Sequence, residues 1–251
     1  TYINLSSFKI EKCTREKNRD IFYSIISGLG VIGVILEVKI NLKEIKHLTV
    51  SENHISINNI NNLLTKINEI EKEADYLIAS IDLSSNLKKN SFAKLSYSKL
   101  ANIESKKREK VKAFKILGNH KLIKPLFSFK LTYKLFEQLF GIYASGYFSF
   151  KKEGNKDLFE SHFLNDVFLP EYNYFFKNGL FEYQCNIPKR NAKKFYDFFL
   201  SEVKNLGIKP LMSGLKSYSG AKESFLLSFQ LDEESYGFTF DFPNIDSFKD
   251  K

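Results

Sequence analysis

Apolar and polar positions alternate in two rhythms along this chain, and the rhythm changes several times. Ile21, Phe22, Ile25 and Ile26 recur at helical spacing, with Asp20 beside the start, which predicts a helix from Asn18 to Ile26. Three glycines follow within six residues, Gly28, Gly30 and Gly33. A β-branched run then alternates around Glu37 and Lys39, with Val38 and Ile40 between, and predicts a strand reaching Leu42. Thr1 to Ile10 alternates like a strand, and Glu44 to Val50 reads as another strand or an edge segment. Ile57, Ile60, Leu63, Leu64, Ile67 and Ile70 then form one stripe of a helix for which Ser56 is the candidate N-cap. Tyr76–Leu83 and Phe92–Leu100 read as strands.

The last third repeats the theme. Gly179–Pro188 alternates as a strand. Asn191–Leu206 reads as a helix with Ala192, Phe195, Phe199, Val203 and Leu206 inward, stopped by Gly207. Pro210–Lys216, Phe225–Leu231 and Tyr236–Pro243 read as strands. Between these regions, Leu131–Phe150 is crowded with aromatic residues at spacings that belong to a core, and Asp157–Tyr174 continues it until Pro170 ends any regular element. Strands in runs, with few helices between them, predict an α+β chain with a second domain starting near residue 45. No internal repeat at a fixed period is apparent.

Composition adjusts this picture. The 251 residues include 25 Phe and 13 Tyr but no Trp, a globular rather than a disordered content. The net charge is +9, yet only Arg15, Arg19, Arg108 and Arg190 are arginine. Arginine is the usual base-reading and bidentate phosphate residue, so this lysine-dominated excess argues against a nucleic-acid partner. The longest apolar run, Ile25–Leu36, is too short to span a bilayer, and no charged-then-apolar leader opens the sequence.

Few chemistries find support in the spacing of reactive residues. Cys13 and Cys185 form no metal or disulfide pattern. His47, His54, His120 and His162 show no ligand spacing, so no metal site is expected. Glu69, Glu71 and Glu73 read as a solvated helix face, and no nucleophile elbow is present. Gly28-Leu29-Gly30-Val31-Ile32-Gly33 matches the dinucleotide fingerprint in letters. That fingerprint needs a strand before the glycines and a helix after them, and here the order is reversed.

The run from Cys13, C-T-R-E-K-N-R-D-I-F-Y-S-I-I-S-G-L-G-V-I-G-V-I-L, resembles a segment of vanillyl-alcohol-oxidase-type flavoproteins that reads roughly R-E-x-N-x-x-L-F-W-x-x-x-G-G-x-G-L-x-G-I-I. The similarity is greatest to the decaprenylphosphoryl-ribose oxidase group. A second stretch, E-Y-Q-C-N-I-P at Glu182–Pro188, followed by helix and strands to D-F-P at Asp241–Pro243, is similar to the substrate domain of the same oxidases. The resemblance touches both ends of the chain and is weakest in the middle. Ser27 departs from it, standing where a glycine is usual.

The resemblance implies the C-terminal piece of a flavin-binding domain over residues 1–44. An antiparallel-sheet-plus-helices substrate domain would follow over 45–251, with the larger part of the FAD domain and a catalytic lysine segment outside this chain. It implies FAD as cofactor, with Gly28, Leu29, Gly30, Gly33, Val34 and Ile35 against it. Glu182, Gln184, Lys216, Thr239 and Phe168 would lie toward substrate and flavin. Thr239 replaces a cysteine of some members and Phe168 a common tyrosine, which leaves the substrate open between a polyprenyl-phosphoryl pentose and a soluble aldonolactone or alditol. No catalytic base is assigned. The implied reaction turns a sugar hydroxyl into a ketone; the alternative from a different class is a non-catalytic binding module that keeps the fold and has lost the flavin. The resemblance implies a short-chain dehydrogenase or epimerase as reaction partner and a cytoplasmic location, peripheral at the inner membrane.

Glu104–Lys115 is the densest charge run. By residue chemistry it is a solvated face; in the similar oxidases the corresponding stretch is a loop near the substrate entrance. Lys106, Lys107, Arg108, Lys110, Lys112 and Lys115, beside Val111 and Phe114, match a surface for anionic lipid headgroups, at about 1 kcal/mol per basic residue. Replacing these six by glutamine is expected to abolish co-sedimentation with anionic liposomes; undiminished sedimentation would refute the contact.

Overall fold

The computed structural model describes residues 1–81, 83, 92–104, 153–162, 180–208, 210, 212–223 and 225–244. The aromatic stretch 131–150, Phe168 and the basic run beyond Glu104 lie outside the described residues. The fold is α+β, with two antiparallel sheets.

The small sheet has the order β2-β1-β3, from β1 (Tyr2–Asn4), β2 (Ile10–Glu11) and β3 (Gly33–Ile35). Helix α1 (Arg19–Ile25) enters the glycine turn from upstream, so helix, turn and strand follow in the expected order. The strand is shorter than the alternation predicted. Past Ile35, the amides of Leu36 and Glu37 both turn to the carbonyl of Thr1, and no ladder partner continues alongside, so Val38 and Ile40 stay exposed and unpaired in any sheet. Alternation expresses itself as a strand only where a neighbour completes the hydrogen bonds.

The large sheet has seven strands in the order β7-β4-β6-β5-β9-β10-β8. Its strands are β4 (Thr49–Ile57), β5 (Tyr76–Ile81), β6 (Ala93–Leu100), β7 (Gly154–Asp157), β8 (Leu180–Pro188), β9 (Met212–Tyr218) and β10 (Ser235–Pro243). Helices α2 (Ile60–Ile70) and α4 (Ala192–Asn205) cover one face, and the short α3 (Leu158–His162) follows β7. Several predicted boundaries shift: the strand expected over Thr1–Ile10 ends at Asn4, and the one expected over Glu44–Val50 begins only at Thr49. Ser56 and Ile57 close β4 instead of opening the helix, whose N-cap is Asn59, accepting from the Asn62 amide at 2.9 Å. Phe225–Leu231 forms turns rather than a strand, with the Ser228 amide bonded to the carbonyl of Phe225.

A duplication invisible in the sequence organises this sheet. β4-α2-β5-β6 and β8-α4-β9-β10 are the same β-α-β-β unit, each with its third strand between the first two. The registers correspond: Ile57 lies opposite Ala93 in the first unit, as Ile187 lies opposite Tyr236 in the second. The units join through the antiparallel pairing of β5 and β9, Ala79 with Leu215 and Ile81 with Ser213. The two cores differ in kind. Ile57, Leu63, Ile67, Ile81 and Leu95 fill the first, whereas Tyr196, Phe238 and Phe240 fill the second, with Phe195 and Phe199 packed against them. That difference of filling removes any repeat from the letters.

Val203 is buried as expected of α4, but Tyr196 takes an inward place and Leu206 is largely exposed. Gly207 ends the helix in the left-handed region, φ 63°, as a C-terminal stop requires. Glu71, expected to be solvated, caps the end of α2 and accepts from Lys189 and Ser217, tying the two units together. Phe240 is fully buried and stacked on Phe199 at 3.9 Å between ring centroids. Phe240→Ala is expected to cost about 3–5 kcal/mol in urea unfolding through the cavity it leaves; a loss below 1 kcal/mol would show that the second unit's core collapses around the gap.

Candidate functional site

The glycine turn is partly covered by its own chain. A Cβ on Gly28 would stand 2.5 Å from the carbonyl of Ser24, and one on Gly33 would stand 2.6 Å from both Ile3 O and the Tyr2 ring. Packing within the chain therefore accounts for these two glycines. Gly30 has φ +77° and open space around it. Ser27, at φ 62°, holds the left-handed conformation that glycine would hold without penalty, so the departure from the family pattern at this position leaves the bend intact. Leu29 is also left-handed, φ 51°, and 92% exposed. Val31, Val34 and Ile35 are exposed as well, the last two on opposite sides of β3.

The turn is positioned by α1, which docks on the loop between β9 and β10. The Leu226 amide donates to the carbonyl of Tyr23, and the Tyr23 and Phe225 rings stack at 5.4 Å. Arg15 grips Glu223 with Nε and one terminal nitrogen, and Tyr23 donates its hydroxyl to the same carboxylate. Arg15 first, and Tyr23 second, hold the Glu223 carboxyl below its usual range. The loop itself turns back over the large sheet, where Asn186 Nδ2 donates to the carbonyl of Phe229 at 3.0 Å and the Tyr218 ring occupies the space that a side chain at residue 237 would need.

Strand alternation sorts the large sheet into two faces. Leu215, Tyr236, Phe238, Phe240 and Cys185 point to the helices. Glu182, Gln184, Lys216, Thr239 and Asp241 therefore all fall on the opposite face. Thr239 lies between Gly214 and Gln184 across β9, β10 and β8, and Asp241 lies directly opposite Glu182. Gln184 Nε2 donates to Glu182 Oε1 at 2.7 Å. Of the residues named from sequence, the structure thus brings Glu182, Gln184, Lys216 and Thr239 to one face, while Phe168 lies outside the described residues.

Asp241 escaped the sequence reading, although it is the D of D-F-P. Its burial, and then the neighbouring Glu182 carboxyl that shares a hydrogen bond with it, push Asp241 up to about 6. Cys185, on the helix side, is pushed up to about 11 by burial, which makes it an unreactive thiol.

A second polar group sits at the far end of the same face. Glu52 is 1% exposed, with Ser161 Oγ donating to its Oε2 at 2.6 Å, His54 Nε2 at 2.9 Å from its Oε1 and Lys156 Nζ at 3.4 Å. His54 Nδ1 lies 2.9 Å from Ser96 Oγ. Two residues apart on a strand share a face, and this signal for Glu52 and His54 was present in the sequence. The cluster fastens β7 and α3 onto β4. Among the described residues, no group of three or more His, Cys, Asp or Glu could hold a metal ion, and no helix is long and apolar enough to cross a membrane. A shallow cleft lined by Ser51, Asn53, Tyr97 and Lys99 opens on the helix side, away from the residues named above.

For a flavin, the residues fit in part. Leu29, Val31 and one of Val34 or Ile35 offer exposed apolar surface to a flat ring, while Gly28 and Gly33 are already engaged by their own chain. Compared with known proteins, the chain matches no family model, and no curated protein matches it in sequence.

The Asp241 carboxyl has a pH signature. Its folded value near 6 lies above the unfolded value of about 3.9, so the folded state binds the extra proton and this group's stabilising effect is complete below about pH 4. It is lost as pH rises through 6. Glu223 and Asp75, both lowered, act in the opposite sense and lose their contribution as pH falls through their folded values. The difference in urea midpoint between wild type and Asp241→Asn should therefore shift in favour of the variant from pH 4 to 7; a pH-independent difference would contradict the assignment.

Proposed function

We propose that the chain is the substrate-binding part, with the closing segment of the cofactor domain, of an FAD-dependent oxidoreductase that converts a sugar hydroxyl to a ketone. Residues 1–44 complete the flavin domain and residues 45–251 form the substrate domain. The observation that carries this reading is the convergence of Glu182, Gln184, Lys216 and Thr239. A sequence resemblance singled them out on three separate strands, and they share one polar sheet face with Asp241. A flavin, when bound, supplies the hydride acceptor. The chain's own residues bind and orient the sugar: Gln184 and Thr239 through hydrogen bonds, and Lys216 through charge. The exposed apolar side chains of Leu29, Val31 and one side of β3 exclude water beside the ring.

Lys216 is exposed on that face and favours an anionic, phosphoryl-bearing substrate over a neutral lactone. A polyprenyl-phosphoryl pentose, oxidised at the membrane surface, meets that requirement. An aldonolactone or alditol oxidase is the second reading, and it would leave the lysine without a task.

The test uses the full-length protein. It is expected to purify yellow, and its flavin absorbance is expected to bleach anaerobically on addition of a short-chain prenyl-phosphoryl ribose but not of free galactonolactone. Gln184→Ala should keep the flavin spectrum and lower kcat/KM at least about tenfold, the loss of one or two hydrogen bonds to substrate. A colourless full-length protein overturns the reading; bleaching by the lactone alone moves it to the second.

A further inference from the structure

Gly214 is the one described glycine that its own polypeptide does not require. Gly30, Gly154, Gly207 and Gly220 have positive φ, and a Cβ on Gly28, Gly33 or Gly237 would collide with the chain. At Gly214 an added Cβ would meet nothing nearer than the Ala79 carbonyl at 3.9 Å and Thr239 Cβ at 4.0 Å, ordinary contact distances. Glycine in the middle of a strand costs stability, since it packs nothing and loses the most backbone freedom on folding. This one sits on the inner strand β9, between β5 and β10, where a β-branched residue would be the natural choice. Among the described residues no internal contact offsets these costs, and a bare strand backbone is a place where something else can approach closely.

Its place says what approaches. Ser213 and Leu215 face the helices, so Gly214 opens onto the polar face. Its ladder partners there are Ser80 on β5 and Thr239 on β10, with Gln184 beyond Thr239 and Lys216 two residues along its own strand. Around the bare backbone of Gly214 this face therefore offers hydroxyl and amide groups, with Lys216 along the strand and Lys94 opposite Ser80 as the nearby cations. A small polyhydroxylated ring carrying an anionic group matches that pattern: its C–H face can lie on the bare backbone while its hydroxyls reach the rim and its phosphoryl group reaches Lys216.

We propose that Gly214 is the seat of the sugar ring and sets the ring size and substitution this face accepts. The inference rests on the reading of the polar face as a sugar site and adds to it the residue that determines fit. Its test is direct binding without turnover. Affinity of the full-length protein for a short-chain prenyl-phosphoryl ribose is measured by calorimetry for wild type, Gly214→Ala and Gly214→Val, with melting temperature and flavin absorbance recorded separately. The valine variant should melt at or above the wild-type temperature and bind at least tenfold more weakly, with alanine intermediate. If valine destabilises the fold, the alanine variant decides, because its Cβ has room. Wild-type affinity in a well-folded variant, or no binding of the probe by wild type, overturns the proposal. Absence of flavin absorbance with the affinity difference intact would instead remove the oxidase reading and leave the seat standing.

Discussion

The pairing of Ala79–Ile81 with Ser213–Leu215 is the contact on which the molecule's architecture depends. Each β-α-β-β unit alone would be a three-stranded sheet with one helix. Joined edge to edge, they become one sheet, with both helices on one side and, on the other, a face that carries polar groups of both units with Ile78 and Tyr76 between them. The join is short, and it buries Ala79, Ile81 and Leu215 in the shared core while presenting Ser80 and Gly214 on the opposite surface. Residues more than a hundred positions apart in sequence come to neighbouring strands by this one ladder.

Side-chain bonds across the join keep the units in register. Glu71 at the end of α2 accepts from Lys189 and Ser217, and the Tyr236 hydroxyl donates to Asn68 at 2.7 Å. All of these lie on the helix side; on the polar face, Gln184 donates to Glu182 within its own strand. At the far end of that face, Glu52, His54, Lys156 and Ser161 are drawn together in a buried cluster. Breaking a buried ion pair exposes the full desolvation penalty of the partner left behind, so that end is built for rigidity. One face thus carries a fixed half and an accessible half.

Much of the large sheet was legible in the sequence, and the reasons are local. β8 and β10 alternate strictly, and β6 from Ala93 to Ser98, because one face of each is packed on helices, while Tyr76–Ala79 was legible as a continuous apolar run. Gly207 marked the end of α4 through its left-handed conformation. The misreadings share a cause: the pattern does not state who the neighbour is. Leu36–Leu42 alternates but has no strand beside it, and Phe225–Leu231 spends its apolar residues on turns and on the docking of α1. Ile57 satisfies both a strand ending and a helix stripe, and the ladder to Ala93 decides for the strand. In the candidate site, Glu182 and Gln184 were legible as a same-face pair. Asp241 and Gly214 were not, because their meaning lies in the residues opposite them.

The attachment of the small sheet has a mechanical consequence. Among the described residues, α1 and the segment before it meet the loop between β9 and β10 through one backbone hydrogen bond, a cluster of three rings, the Tyr23 hydroxyl on Glu223 and the Arg15 clasp on the same carboxylate, whose arginine is mostly exposed. Dissolved salt screens an exposed ion pair but not stacked rings or a backbone hydrogen bond, so rising ionic strength loosens one part of this attachment and leaves the others in place.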